Sequence, residues 1–342
     1  MSLKNLNAKN KIPKILKEKL NNKKVNSLYK NFEKSLNLNQ NFIVAISGGP
    51  DSLSLAYLSK IYSINKKLDS KFIIIDHKLR PESTKEAKLV KNLLKKFHIN
   101  AQILTWTQNK PKSNIQSAAR DMRYNLLFKK CKQYKIGNIL LGHHQDDLIE
   151  NFFIRILRGS GLKGLVSLDK KIEISGINLL RPLLNIKKDD LIFLTNFVFN
   201  FYVDDPTNKD DKYQRTRVRK LVEELRKNGL DKKKLYKTIS NLKHSNETIK
   251  FYVEQNFNNN TNYSSRKNQL LLKKEFFLQP YEIVFRSFSN SIKLVGKKYY
   301  SVRGKKIDKI ITQIENDAFS KGTLGGCIVE KVNQTLIITR EN

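Results

Sequence analysis

The stretch Phe42-Ile43-Val44-Ala45-Ile46-Ser47-Gly48-Gly49-Pro50-Asp51-Ser52 decides how the rest of the chain is read. Its first five residues are apolar without a break and predict a buried strand. Leu53, Leu55, Ala56 and Leu58 then recur with the spacing of a helix face. Two glycines and two serines therefore fall on a strand-to-helix turn. Glycine lets the backbone approach an anion closely. The amides of a helix N-terminus point at that anion, with the helix dipole behind them. Residues 47–52 thus read as a phosphate cradle. They do not form the common G-x-x-x-x-G-K-[ST] loop, whose lysine is absent. A tight turn with a serine cap is the other reading of these residues alone.

Outward from the loop, the same alternation repeats. Ile15, Leu16, Leu20, Leu28, Phe32 and Leu36 predict one or two amphipathic helices leading in, and a helix runs from about Leu53 to Tyr62. Phe72 to Ile75 is a second strand ending at Asp76-His77. Ala101 to Trp106 and Asn138 to Leu141 are the third and fourth. Between them lie helical stretches at Glu82 to Phe97 and Ile115 to Tyr134. Short apolar strands alternating with helices imply an α/β fold with a parallel sheet. Ligands in such sheets bind beyond the carboxyl ends of the strands. The glycine loop, Asp76-His77 and Gly142-His143 all fall there.

The segment Gly142-His143-His144-Gln145-Asp146-Asp147-Leu148-Ile149-Glu150 is the second chemical signal. Placed on a helix, His143, Asp147 and Glu150 share a face, with Ile149, Phe153 and Ile156 on another. Carboxylates with an imidazole suit a magnesium ion or an ammonium group. An acidic first turn that favours the helix dipole accounts for one or two of the carboxylates, not for the paired histidines. Zinc is disfavoured, because no cysteine is near and H-E-x-x-H is absent. Arg120, Asp121, Arg123 and Tyr124 lie on the long helix and by themselves read as a solvated face. Arg155 and Arg158 close the next helix, with Gly159 or Gly161 as its cap.

Past Gly164 the pattern changes. Ile172 to Ile174 and Ile177 to Leu180 fit a hairpin around Ser175-Gly176. Leu191 to Phe199 is a buried helix or strand, which periodicity does not decide. Asp204-Asp205-Pro206-Thr207-Asn208 is a turn-rich loop. Arg215, Arg217, Arg219 and Lys220 follow it as either a solvated helix start or a phosphate clamp. Residues 218–254 read as helical, and Asn256 to Ser265 as a polar linker. A smaller unit starts at Leu270 to Leu272 and Tyr281 to Phe288. Thr323 to Cys327 and Thr335 to Thr339 read as its closing hairpin, with Cys327 buried.

Bulk properties narrow the setting. Sixty-six Lys and Arg against 31 Asp and Glu leave a formal charge of +35 over 342 residues. That excess points to a polyanionic partner, nucleic acid first. Abundant lysine and asparagine also fit a biased composition. No run approaches the roughly 18 apolar residues of a membrane span. Lys4, Lys9, Lys11 and Lys14 have no apolar block behind them, so the start is not a secretory signal. Two distant cysteines, Cys131 and Cys327, exclude a disulfide framework or a multi-cysteine metal site and imply a reducing, cytoplasmic setting.

With these stretches placed, Ser47 to Ser52 resembles the pyrophosphate loop of the N-type ATP pyrophosphatases, and the chain as a whole resembles the tRNA(Ile)-lysidine synthetases. The likeness rests also on Asp76-His77-Lys78-Leu79-Arg80-Pro81-Glu82-Ser83, Ala119 to Tyr124, and Gly142 to Glu150 continuing to Leu162. It runs on through Arg181-Pro182-Leu183, Asp205 to Asn208 and Arg215 to Arg219, and returns at Thr323 to Cys327. It is dense over the first two-thirds and thin over the last third. Lys78, Thr216 and Asn151 stand where glycine, asparagine and threonine are usual, and the first two bear on loop geometry and one RNA contact. The length implies that the extra C-terminal domain of the longest members is missing.

The resemblance implies a Rossmann-like N-type ATP pyrophosphatase domain over residues 1–215. Residues 216–342 become a helical linker and a small α+β, tRNA-binding C-terminal region. It implies adenylation of the C2 oxygen of the wobble cytidine in a CAU-anticodon isoleucine tRNA, followed by attack of free L-lysine to give lysidine. Ser47, Gly48, Gly49, Pro50, Asp51 and Ser52 would bind ATP, with Asp51 a ligand of Mg2+. Asp147 and Glu150 would hold lysine, His143 would position it, and Arg120 would steady phosphate or adenylate charge. Arg158, Arg215, Arg217 and Arg219 would hold tRNA phosphates. A homodimer is compatible with this reading. Three rivals stand beside it: tRNA thiolation, which the missing C-x-x-C disfavours; amide formation on a small metabolite; and a non-catalytic RNA-binding relative.

Overall fold

The computed structural model describes residues 12–341 except 109–110, 112, 114, 207–209, 265, 267–268, 298–301 and 303. Lys4, Lys9, Lys11, Thr207 and Asn208, singled out above, lie outside the described residues. The chain forms two compact units, Met1–Tyr236 and Lys237–Asn342.

The first unit is built on six strands: β1 (Phe42–Ile46), β2 (Ser70–Asp76), β3 (Ala101–Thr105), β4 (Asn138–Leu140), β5 (Lys171–Ile174) and β6 (Ile177–Leu180). Their order across the sheet is β3-β2-β1-β4-β6-β5. The first five in that order run parallel, and β5 is an antiparallel edge. Val44 of β1 pairs with Phe72 on one side and Leu140 on the other. The chain thus winds from β1 out to β3, then returns to place β4 on β1's opposite flank. The strand order reverses between β1 and β4, which is where open α/β sheets make a ligand crevice.

Helices α1 (Lys14–Leu20), α2 (Lys23–Leu36), α3 (Pro50–Asn65), α4 (Ser83–Lys96), α5 (Ile115–Tyr134), α6 (Gln145–Ile156), α7 (Leu162–Leu165), α8 (Lys188–Phe199) and α9 (Gln214–Lys227) complete the unit. Side chains of β1 alternate between two cores. Phe42, Val44 and Ile46 join Phe32, Leu55, Tyr62 and Leu194 on one face. Ile43 joins Trp106, Met122, Leu127 and Cys131 on the other. A sheet covered on both faces needs unbroken apolar strands, which explains the run at 42–46.

Several local readings sharpen. The helix after the glycine loop starts at Pro50, not near Leu53, because proline suits the first helical position. Leu191 to Phe199 is helical. Ser54 Oγ donates to Leu191 O (2.9 Å), and Thr195 Oγ1 donates to Pro50 O (2.7 Å), fixing α8 against α3. The hairpin turn uses Ser175 and Gly176 at φ 52° and 76°, the left-handed pair of a tight turn, and adds β6 and β5 to the main sheet. Helix 218–254 is two helices, α9 and α10 (Lys232–Asn260), parted where Gly229 takes φ 95°. Residues 256–260 are not a linker. Asn256 is buried and donates to Phe276 O (3.2 Å), so α10 continues to Asn260 and passes into β7 (Thr261–Ser264).

In the second unit, β7, β8 (Gln269–Leu272), β9 (Lys321–Leu324), β10 (Cys327–Val332) and β11 (Thr335–Arg340) form an antiparallel sheet ordered β7-β8-β11-β10-β9. Helices α11 (Tyr281–Gly296) and α12 (Gly304–Glu315) complete its core with Phe288, Ile292, Ile307 and Ile311 against Val329 and Ile338. Gly325 and Gly326, at φ 63° and 78°, turn β9 into β10, so the expected closing hairpin is a three-strand meander. Cys327 is fully buried.

Phe32 is fully buried and meets Tyr62 edge-on at 6.0 Å. Phe32→Ala should lower the unfolding free energy by about 3–5 kcal/mol. Urea unfolding followed by circular dichroism measures it; a loss below about 1 kcal/mol would contradict the packing described.

Candidate active site at the switch point of the sheet

The loop after β1 is tied by one hydroxyl. Ser52 Oγ accepts from the amides of Ser47 (3.1 Å) and Gly48 (3.0 Å) and donates to Gly49 O (3.0 Å). Two amides that the sequence assigns to an anion are therefore turned inward. Pro50 has no N–H, and the amides of Gly49, Asp51 and Ser52 have no acceptor among the described residues. These three remain as the open donors of the turn. Gly48 sits at φ 93°, and a Cβ there would lie 2.9 Å from Val90 Cγ2, so both conformation and space demand glycine. Gly142, at the end of β4, passes close beneath the loop. A Cβ on it would lie 3.4 Å from the Ser52 nitrogen.

Helix α6 begins at Gln145, so His143 is outside it. The shared helical face expected for His143, Asp147 and Glu150 therefore holds only for the two carboxylates. The cause is the cap. His144 is the N-cap: its Nδ1 accepts from the Asp146 amide (3.2 Å), while its own amide donates to Asp147 Oδ2 (2.8 Å). Because Nδ1 accepts, the proton of a neutral His144 ring is on Nε2. That nitrogen lies 3.7 Å from Asp51 Oδ2 and 3.6 Å from Asp147 Oδ2. Residues 47–52 and the acidic helix thus meet across a single imidazole, on the same edge of the sheet. His144 is the residue that reasoning from spacing passed over, since histidine is not a usual N-cap.

Three of the acidic side chains here each meet a cation from far along the chain. Asp51 takes Lys188 Nζ on both oxygens, at 2.6 and 2.7 Å. Glu150 takes Arg219 Nε at 2.6 Å. Asp146 takes Tyr236 OH at 2.8 Å and Lys232 Nζ at 3.3 Å. The environments of Asp147 and Glu150 push their protons apart. Burial opposes charge on Asp147, but His144, His143 and the His144 amide outweigh it and hold its pKa below the usual carboxylate value. At Glu150 burial wins over the Arg219 pair and raises the pKa. Neighbouring carboxylates divided in this way are the pattern of a charge holder beside a proton acceptor.

A basic cluster flanks this pair. Arg120 and Arg123 approach the Tyr124 ring at 5.2 and 5.9 Å, and Arg181, buried just after β6, contacts the same tyrosine. Arg123 Nε, Arg181 Nε, His77 Nδ1 and His143 Nδ1 are buried without hydrogen-bond partners among the described residues. Burial, with Arg123 beside it, drops His77 to a pKa of about 4. Burial drops His143 to about 3, with Arg181, Arg215 and Arg120 adding to the effect against Asp147. Both imidazoles are neutral near pH 7. Converging guanidinium groups with spare donors favour an anion. The side chain of Asp76, by contrast, is structural: Ser83 Oγ, Thr84 Oγ1 and the Lys78 amide donate to it at 2.8, 2.7 and 3.0 Å. Lys78 itself takes φ 48°, a conformation that favours glycine.

The remaining arginines are dispersed. Arg158 Nη2 donates to Gln214 Oε1 (2.6 Å), and Arg217 Nη1 to the carbonyls of Asp211 and Lys212 (2.8 and 3.1 Å). Arg215 is exposed but close enough to act on His143 and Asp147. Arg219 pairs with Glu150 while its side chain stays 40% exposed. For magnesium, no group of three or more His, Cys, Asp or Glu among the described residues is arranged as a metal cage. Asp51 offers a lone carboxylate, which fits a magnesium ion carried by phosphates and not one held by protein alone. Neither of two cavities, about 440 Å3 beside Gly325-Gly326 in the second unit and about 330 Å3 beside Tyr134 in the first, is lined by a residue of this site.

Comparisons with known proteins give the family and the fold. The PP-loop domain family matches residues 17–225. The chain is 32% identical over 307 residues to the tRNA(Ile)-lysidine synthase of Wolbachia pipientis wMel, covering 89% of this chain and 71% of that one. It is 33% identical over 315 residues to the enzyme of the same name from Orientia tsutsugamushi strain Boryong, covering 89% and 70%. Among solved structures, the U34-tRNA thiolase NcsA from Methanococcus maripaludis, with its [4Fe-4S] cluster, superposes with a TM-score of 0.56 at 19% identity, over 66% of this chain and 79% of that one. That likeness speaks for the fold alone. With a PP-loop domain on an α/β sheet and relatives matched over most of both chains, the protein belongs to the tRNA(Ile)-lysidine synthase family.

Proposed function

We infer that the protein ligates free L-lysine to C2 of the wobble cytidine of a CAU-anticodon isoleucine tRNA, using ATP and passing through an adenylated cytidine. The observation that carries the reading is the junction at His144, where Asp51 of the phosphate loop and Asp147 of the acidic helix lie within 3.7 Å of one nitrogen. A nucleotide on the loop and an ammonium group on the helix would share one reaction space.

The outward amides of Gly49, Asp51 and Ser52 hold the β- and γ-phosphates of ATP, with Ser47, Gly48 and Pro50 shaping the turn. Asp51 would hold a magnesium ion, which would supply neutralisation of the phosphate charge. Arg120, with Arg123 and Arg181 around Tyr124, steadies the charge of the adenylate as pyrophosphate leaves. Asp147 stays ionised and holds the lysine ammonium. Glu150, with its raised pKa, accepts the proton that the amine must lose before it attacks. His143 is neutral and orients the amine by hydrogen bonding rather than by charge. The amine then displaces AMP from C2 of the cytidine.

Arg158, Arg215 and Arg217 serve tRNA phosphates, and Arg219 joins them by leaving Glu150. Residues 216–236 complete the first unit, and the second unit, Lys237–Asn342, serves as the tRNA-binding region. The +35 charge supports an RNA partner. Both cysteines are buried and free, and no helix among the described residues is long and apolar enough to cross a membrane. That cysteine usage supports a cytoplasmic setting. No C-x-x-C is present to support thiolation.

Incubating the protein with CAU-anticodon isoleucine tRNA, ATP and labelled lysine should give labelled lysidine in the digested nucleosides by mass spectrometry. Unmodified cytidine throughout would reject the reading. Glu150→Gln should leave RNA-dependent ATP–pyrophosphate exchange within about twofold, yet slow lysine transfer roughly 10²–10⁴-fold. Equal losses in both steps would remove Glu150 from the second. Stability also reports the two buried imidazoles. Unfolded histidine titrates near 6.5, whereas His77 and His143 resist protonation down to about 4 and about 3. The unfolded chain therefore binds protons first, and stability present above pH 6.5 falls as pH drops through 5. Urea unfolding at pH 7.5, 6 and 5 should show that slope, and a His77→Gln, His143→Gln double variant should flatten it.

A further inference from the structure

The glycine loop lacks in sequence the lysine that other phosphate loops carry within their own pattern. The fold brings one to it from 137 residues away. Lys188 stands at the first position of α8 and places Nζ 2.6 and 2.7 Å from the two oxygens of Asp51, in the first turn after the loop. The placement is built rather than casual. Helix α8 is held on α3 by Ser54 Oγ to Leu191 O, by Thr195 Oγ1 to Pro50 O, and by the 2.9 Å contact between Ser54 Oγ and Thr195 Oγ1. Those bonds grip the same first turns that carry Asp51 and the outward amides. The Lys188 side chain is about one-third exposed, so the ammonium is partly desolvated but open to a ligand.

We propose that Lys188 is the phosphate-binding cation of the 47–52 loop. Its ammonium rests on Asp51 and turns to a non-bridging oxygen of the β,γ-diphosphate when ATP lies on the loop and a divalent cation takes up Asp51. The inference rests on the reading of residues 47–52 as an ATP loop, and it adds a residue which neither the loop pattern nor the acidic helix contains. A lysine suits this role as a compact charge on a flexible stem, able to change partners without moving the backbone. No bond is made or broken by it. Its contribution is to orient the leaving pyrophosphate and offset its charge.

The test is calorimetric binding of ATP, inorganic pyrophosphate and AMP to the full chain in the presence of Mg2+, comparing the native protein with Lys188→Met and Lys188→Arg. Lys188→Met should weaken ATP and pyrophosphate roughly 10- to 100-fold, the range for a lost charge-assisted hydrogen bond. It should leave AMP, which has no β- or γ-phosphate, within about twofold. Lys188→Arg should recover a substantial part of the loss, and thermal unfolding of both variants verifies that α8 stays docked. Native ATP affinity in Lys188→Met would overturn the proposal while leaving the ATP loop intact. Equal weakening of ATP and AMP would also overturn it, by showing a displaced loop instead of a lost phosphate contact. If the native protein binds neither ATP nor pyrophosphate, the reading of the loop falls and the proposal with it.

Discussion

The acidic helix can only stand beside the phosphate loop because His144 closes its first turn. The imidazole accepts the Asp146 amide with Nδ1 and turns Nε2 toward both Asp51 and Asp147. A serine or aspartate cap would satisfy the same amide, but neither has a second polar atom with the reach of Nε2 to stand as a donor between two carboxylates on separate elements. The close passage of Gly142 beneath Asp51 and Ser52 sets the distance that this side chain spans. Together the two residues join the ends of β1 and β4 at the place where the strand order reverses. Everything chemical in the first unit is arranged around that join.

The site is a balance of charges drawn from many parts of the chain. Lys188, Arg219 and Lys232 each meet one carboxylate of the junction. Around Tyr124 the balance differs: Arg181 meets Asp169, yet Arg123 and Arg181 each keep a buried Nε without a partner among the described residues. Buried donors without partners are costly unless a ligand supplies the acceptor. Paired carboxylates thus adjoin guanidinium groups with spare donors. The proposed reaction, which joins an amine to a phosphate-activated base, calls for both kinds of group.

Much of the architecture was legible from local pattern. The run at 42–46, the glycines of the loop and the alternation of strands with helices are short-range signals, and the parallel core follows them closely. The Ser175-Gly176 turn was equally plain, though nothing local said that its strands would extend the main sheet. Leu191 to Phe199 resisted a decision because it is apolar nearly all round. The stretch at 256–260 misled because Asn256, polar by composition, spends its amide on Phe276 O and Ser287 Oγ inside the second unit. His143 was misplaced for a related reason. Spacing assumes where a helix starts, and the His144 cap moved that start by two residues.

By itself, the sequence determined the parallel sheet, the glycine turn at its centre and the presence of carboxylates and imidazoles at the strand ends. These follow from hydrophobic period, from glycine's conformational range and from residue type, all of which act over a few neighbours. Only the tertiary structure decided which of those groups meet. It placed Lys188 on Asp51, Arg219 on Glu150 and Tyr236 on Asp146, across separations of 137, 69 and 90 residues. The physical reason is that an ion pair depends on distance in space and burial. Both are set by how α8, α9 and the start of α10 pack, and no local pattern encodes them.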